Sequence, residues 1–165
     1  MMTTATTTAP GTARPVARYR APGAITRHVM NPVVAWATRR GISVFGARTL
    51  ETTGRRSGAV RATPVNVLDL DGCTYLVAPR GTTDWVRNVR AANGACVLRS
   101  GRQRDAMDAV ELADDAKPAV LRAYLARWRW ETGQFFDGVT AHATDEELLA
   151  IAPRHPVFRL EPAAG

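Results

Sequence analysis

The sequence predicts a mainly β domain of the α+β class, a small barrel with helices at its periphery. Three observations predict it. Short β-textured segments follow one another between residues 42 and 111, separated by glycine-containing turns. A single short helical segment interrupts them, and the longer helical patterns come only afterwards. There is no βαβ alternation and no G-x-G-x-x-G after a first strand, which disfavours a dinucleotide-binding α/β fold.

The elements can be justified in order. Residues 1–23 are Thr/Ala-rich with Pro10, Pro15 and Pro22, and read as a flexible lead ahead of one domain at 24–165. In residues 24–43, Ile25, Val29, Val33 and Trp36 recur at helical spacing with Arg27, Arg39 and Arg40 around them. This is a basic amphipathic helix, packed on the core or lying on an anionic membrane surface. Pro32 allows a kink within it. Residues 42–53 are strand-like, and residues 54–58 turn the chain with a glycine at each end. The next strand covers residues 60–70, where Pro64 argues for an edge or a bulge. Asp71-Gly72 marks a tight hairpin turn into a strand at 73–80. Thr83 is placed to cap a short helix that stops at Gly94. Two more strands flank Ser100-Gly101. Asp114 or Asp115 opens a helix to about Trp130, Thr144 and Glu147 form a capping box for another, and residues 155–162 close with a strand.

Composition narrows the function classes. The 165 residues suit one domain with modest tails, and carry a formal charge of +7. That charge is uneven: residues 1–104 hold 16 Arg against 4 acids, whereas residues 105–165 hold 5 Arg and 1 Lys against 11 acids. An arginine-rich first part implies an anionic partner, whether nucleic acid, membrane or a phosphorylated ligand. No apolar run approaches the roughly 18–20 residues of a membrane span, and residues 1–13 lack the apolar stretch of a secretory signal. Cys73 and Cys96 have no metal-like spacing and sit in apolar strands, so neither a metal site nor a disulfide framework is expected. A cytoplasmic protein, with a peripheral contact at the inner membrane face as an option, is the expectation.

The densest chemical signal is Thr52-Thr53-Gly54-Arg55-Arg56-Ser57-Gly58, followed by Arg61. Glycines let a backbone turn approach a ligand closely, and its N–H groups can form an anion-binding concavity. Arginines add forked, charge-assisted hydrogen bonds to phosphate. From residue types alone, a solvated basic hairpin tip is an equally good reading.

This segment resembles the deazaflavin-dependent nitroreductase family, also known as quinone reductases dependent on reduced coenzyme F-420 (8-hydroxy-5-deazaflavin). The family's Thr-Thr-Gly-Arg-(Lys/Arg)-(Ser/Thr)-Gly and Arg-x-x-Pro are matched by residues 52–58 and by Arg61 with Pro64. Its Ala-Ser-Lys-Gly-like loop is matched loosely by Ala78-Pro79-Arg80-Gly81, and its Trp-x-x-Asn helix by Trp85 and Asn88, with Ala92-Asn93 after it. Residues 156–162 resemble the closing strand. The resemblance implies a split β-barrel of the flavin-reductase type. It implies that Arg55, Arg56, Ser57, Gly58 and Arg61 hold the cofactor phosphate and tail. Backbone groups of Ala78, Arg80 and Gly81 would face the ring, and Trp85 and Asn88 would shape that loop. The implied reaction passes a hydride to a quinone, enone or nitroaromatic.

Three departures fall on the acceptor side: a short loop from Gly81 to Trp85, Asn66 where an aromatic is common, and residues 124–143 where the family is tyrosine-rich. Asn66, Tyr124, Trp128, Phe135 and His142 are therefore the candidate substrate-pocket residues, although helix-spaced aromatics such as Tyr124, Trp128 and Phe136 also suit a core. Thr132 and Gln134 can face a pocket, with nothing in the sequence to decide it. No catalytic residue or proton donor is assigned. His28, His142 and His155 are scattered without ligand spacing. FMN is the alternative cofactor, a homodimer is a possible assembly, and a basic membrane- or nucleic-acid-binding module is the reading from another class. Nucleic acid is the weaker partner, because no recognition helix or aromatic platform accompanies the arginines.

Overall fold

The computed structural model describes residues 47–164. The basic segment at 24–43, the lead at 1–23 and the start of the first strand lie outside the described residues.

Six strands close into an antiparallel barrel in the order β1-β2-β3-β6-β5-β4. They are β1 (Ala47–Thr53), β2 (Val60–Leu70), β3 (Cys73–Val77), β4 (Ala95–Ser100), β5 (Gln103–Glu111) and β6 (Val157–Pro162). Helix α1 (Asp84–Ala91) lies between β3 and β4, and α2 (Pro118–Thr132) and α3 (Asp145–Ile151) lie between β5 and β6. The expected barrel with peripheral helices is thus present.

Turn chemistry sets the hairpins. Asp71 and Gly72 both have positive φ, at 50° and 74°, the geometry a two-residue hairpin of this twist requires. It brings Leu70 opposite Cys73. Pro64 lies in the stretch of β2 that pairs only with β1, because the ladder to β3 begins at Val67. That partial edge accommodates the missing N–H.

Alternation along the strands separates two cores. Leu50, Val65, Val67, Leu76, Leu98, Phe158 and Leu160 point into the barrel, where Trp85, Val86 and Val89 of α1 join them. The opposite faces of β2, β3 and β6 present Leu68, Val77 and Val157 to Leu121, Tyr124, Leu125 and Trp128 of α2 and to Leu148 and Ile151 of α3. Those three strands are covered on both faces, which is why their sequences alternate poorly between apolar and polar.

Some helix ends differ from expectation. Asp114 and Asp115 form a 3-10 turn, and α2 starts at Pro118. Lys117 is buried there, donating to Asp114 Oδ1 at 2.5 Å and to the Ala152 carbonyl at 3.0 Å. This tertiary contact, with Pro at the first helical position, sets the boundary. Thr83 occupies the N-cap of α1 but makes no side-chain cap bond. The Thr144–Glu147 capping box forms as expected.

Candidate functional site

The turn after β1 is closed by its own backbone. The Gly54 N–H donates to the Ala59 carbonyl and the Gly58 N–H to the Gly54 carbonyl, both at 2.8 Å. Gly58 has φ 66°, a conformation suited to glycine. A Cβ on Gly54 would lie 3.0 Å from both the Ala59 carbonyl oxygen and Ser57 Oγ. Arg56, Ser57 and Arg61 are exposed, and the N–H groups of Arg56 and Ser57 donate to no described residue. Neither Arg56 nor Arg61 forms an ion pair among the described residues. This is a donor set left open to an anion.

Arg55 plays a different part. Its N–H and its Nη1 both donate to Asn88 Oδ1 at 3.2 Å, and Nη1 also donates to Asp84 Oδ1 at 3.1 Å. Asn88 is buried and donates in turn to Thr52 Oγ1 at 3.3 Å. Asn88 therefore clasps the turn to α1, and Arg55 is the arm of that clasp. Both hold the open donors of Arg56, Ser57 and Arg61 in place.

Beside the clasp lies a cavity of about 540 Å³. Its walls come from Thr63–Asn66 of β2, from Val77 of β3 with Ala78, Pro79 and Arg80 of the loop behind it, from Thr83, Asp84 and Trp85 at the start of α1, and from Tyr124, Glu131, Thr132, Gln134 and Phe135. It is large enough for a planar ring system with a small second molecule. The Arg80 guanidinium lies 5.6 Å from the centre of the Phe135 ring, and Trp85 packs at 5.6 Å against Phe158, which fixes its indole as a wall.

The loop is pinned from behind. The Ala78 N–H donates to the Pro156 carbonyl at 2.9 Å, and the Gly81 N–H to the Ala78 carbonyl at 3.0 Å. A Cβ on Gly81 would come within 3.1 Å of the Arg154 carbonyl oxygen, so glycine lets the loop lie flat on residues 154–156. Buried His155 stacks on Phe136 at 4.3 Å. Burial lowers its pKa, while the nearby backbone of Ala78 and Pro79 pulls the other way.

Of the pocket residues the sequence suggests, Asn66, Tyr124 and Phe135 line the cavity. Trp128 does not. It packs in the outer core, 4.9 Å from the Tyr124 ring, at a break in α2 where its φ and ψ are −124° and 17°. His142 is exposed and is not among the lining residues. Thr132 and Gln134 do reach the cavity, as does Glu131, which sequence reasoning missed. A signal for Glu131 exists: it lies seven residues after Tyr124, so an acid shares the face of a helix that is otherwise apolar. Burial pushes the Tyr124 phenol up to about 12, with the Glu131 charge adding to it and hydrogen bonding by Asn66 and Thr132 opposing it. Cys96 is buried and its thiol is raised to about 11 by desolvation, with the Asp108 charge a lesser cause. Among the described residues no cluster of His, Cys, Asp and Glu could hold a metal, and no helix is long and apolar enough to cross a membrane.

A cradle of open donors against an apolar cavity fits a phosphorylated ring cofactor, and comparison with protein families decides which. Residues 26–134 match the model of the F420H(2)-dependent quinone reductase family. The chain belongs to that family. It is therefore an oxidoreductase that uses the reduced deazaflavin coenzyme, and the choice between coenzyme F-420 and FMN falls to the former. Solved structures agree on the fold. An F420-H2 dependent reductase (FDR-A) is 19% identical, with 70% of this chain and 94% of that chain covered and a TM-score of 0.51. A structure described as a domain-swapped dimer is 18% identical, with coverage of 82% and 96% and a TM-score of 0.50. No curated protein matches the chain.

Proposed function

We propose that the chain passes a hydride from reduced coenzyme F-420 to a small electrophile held in the cavity, with a quinone as the first choice and an enone or nitroaromatic as alternatives. The observation that carries this reading is the junction of two chemistries. An open set of arginine, hydroxyl and N–H donors is clasped through Asn88 to the helix whose first turn walls an apolar cavity.

Arg56, Ser57 and Arg61 hold the phosphate and the acidic tail of the coenzyme, on a turn shaped by Gly58 and anchored by Arg55. The loop at Ala78 and Arg80 faces the ring, Gly81 outside the lining lets that loop lie on residues 154–156, and Trp85 closes one side. Asn88 acts as a positioning residue through the turn. When bound, the reduced deazaflavin supplies the two electrons as a hydride. Asn66, Tyr124 and Phe135 line the acceptor side. Tyr124 stays a neutral phenol at physiological pH.

A homodimer, and a peripheral contact of basic residues 24–43 with an anionic membrane from the cytoplasmic side, complete the proposal. The family's name and one neighbour's description as a dimer support the acceptor and the assembly respectively. Titration of the purified chain with the deazaflavin, followed by ligand fluorescence at low and high salt, tests the reading. Micromolar binding that weakens as salt rises is the expected result, and no binding at micromolar protein would remove the basis for it.

A further inference from the structure

One atom in the cavity is out of place for a site that takes only electrophiles without a hydrogen-bond donor. Glu131, in the last turn of α2, brings its carboxyl group to the cavity wall. Its Oε2 accepts a hydrogen bond from Asn66 Nδ2 at 3.2 Å. Its Oε1 is buried and has no hydrogen-bond partner among the described residues. No described cation pairs with this carboxyl group: Arg80 lies over Phe135, and Arg55 and Arg87 pair with Asp84. The neighbouring Thr132 hydroxyl is turned away, donating to the Trp128 carbonyl at 2.9 Å. The Tyr124 phenol and the Gln134 amide also line the cavity, and the Glu131 charge is felt at the phenol, but neither side chain bonds Oε1.

A buried carboxylate oxygen without a donor is costly, far more so than an apolar side chain of the same shape. Asn66 holds one oxygen and thereby fixes the direction in which the other points. A hydroxyl or amino group on a molecule occupying the cavity is a donor from which Oε1 can accept a hydrogen bond.

We infer that Glu131 is a specificity-determining residue whose Oε1 accepts a hydrogen bond from a hydroxyl or amino group on the acceptor, so that acceptors bearing such a donor are selected over those without one. The inference rests on the proposed function for the identity of the cavity's occupant. It adds the chemical class of that occupant: an electrophilic ring carrying a hydrogen-bond donor on a short arm.

Two naphthoquinones that differ only at the end of a side chain, one with a 2-hydroxyethyl and one with a propyl group, are the probes. Calorimetric titration into full-length protein loaded with oxidised deazaflavin measures binding without turnover. The wild type is expected to bind the hydroxyethyl quinone about tenfold more tightly, the scale of one hydrogen bond to a charged group. Glu131→Gln keeps the shape but lets Asn66 bond the amide oxygen, turning an NH₂ donor toward the cavity. The preference is expected to vanish or reverse while the deazaflavin affinity stays unchanged. Equal binding of the two quinones by the wild type overturns the inference without recourse to any variant. Retention of the preference in Glu131→Gln overturns it as well. A loss of deazaflavin affinity with the preference intact would assign Oε1 to an N–H of the coenzyme and overturn its role toward the acceptor. Failure of the wild type to reduce either quinone, with selective binding retained, would count against the proposed reaction and leave the selectivity standing.

Discussion

The arginine turn is made from one stretch of chain, residues 54–61, whereas the cavity beside it takes its walls from four stretches between residues 63 and 135. The turn needs glycines, hydroxyls and arginines in a set order, and those are local properties. The cavity needs β2, the loop after β3, the start of α1 and the end of α2 to converge, which only the closed barrel and its outer helical layer bring about. The two are joined at Asn88. The turn can thus be altered without touching the fold, whereas the clasp cannot.

The largest separation should come from replacing Arg56 and Arg61 together by Ala. Two charge-assisted bonds to a phosphate at a partly solvated site are worth about 2–3 kcal/mol, roughly thirty- to hundredfold in deazaflavin affinity. The dependence on salt should shrink, and the urea midpoint should stay that of the wild type because neither side chain has a partner to lose. A changed midpoint would mean that the turn is part of the fold after all. Asn88→Ala should behave oppositely. It removes the acceptor for Arg55 and the donor to buried Thr52, costing about 1–3 kcal/mol of stability. Deazaflavin affinity should fall with it, although Asn88 need not touch the ligand. Weakened binding with unchanged stability would instead make Asn88 a direct ligand.

The smallest effect belongs to the loop behind the cavity. His155 is held below its ordinary pKa of 6.5 by burial, so its neutral form is favoured in the folded chain. Its contribution is fully present above pH 6.5 and is lost as pH falls through the depressed folded value. Urea unfolding at pH 7 and pH 5 should show a drop in the wild type that is smaller in His155→Gln. Identical pH dependence in the two proteins would mean that the buried imidazole does not resist protonation.

The same contrast explains what was legible in the sequence. Order and turns of the barrel could be read because Asp71-Gly72, Ser100-Gly101 and the Thr144–Glu147 box act over a few residues. The arginine turn could be read for the same reason. The start of α2 could not, because Lys117 is committed to a carbonyl 35 residues away. Tyr124 and Trp128 have the same aromatic character, lie one helical turn apart and both pack in the outer core, yet only Tyr124 also lines the cavity. Only the break at Trp128 and the approach of β2 separate them. Glu131 was hidden because an acid near a helix end reads as solvated until Asn66, 65 residues earlier, is seen to hold it. His155, one of three scattered histidines in the sequence, gains a place only once residues 154–156 are seen to back the loop.

The most direct test of the central claim, that turn and cavity together form one reductase site, is a stopped-flow experiment. Protein loaded with reduced deazaflavin is mixed with increasing menadione, and the return of the oxidised coenzyme's absorbance is followed. The expected result is an oxidation rate that saturates with menadione and exceeds that of the free coenzyme, as it must if the acceptor binds beside the ring. Tight deazaflavin binding with oxidation no faster than in free solution would contradict it, leaving a coenzyme-binding protein whose cavity serves something else.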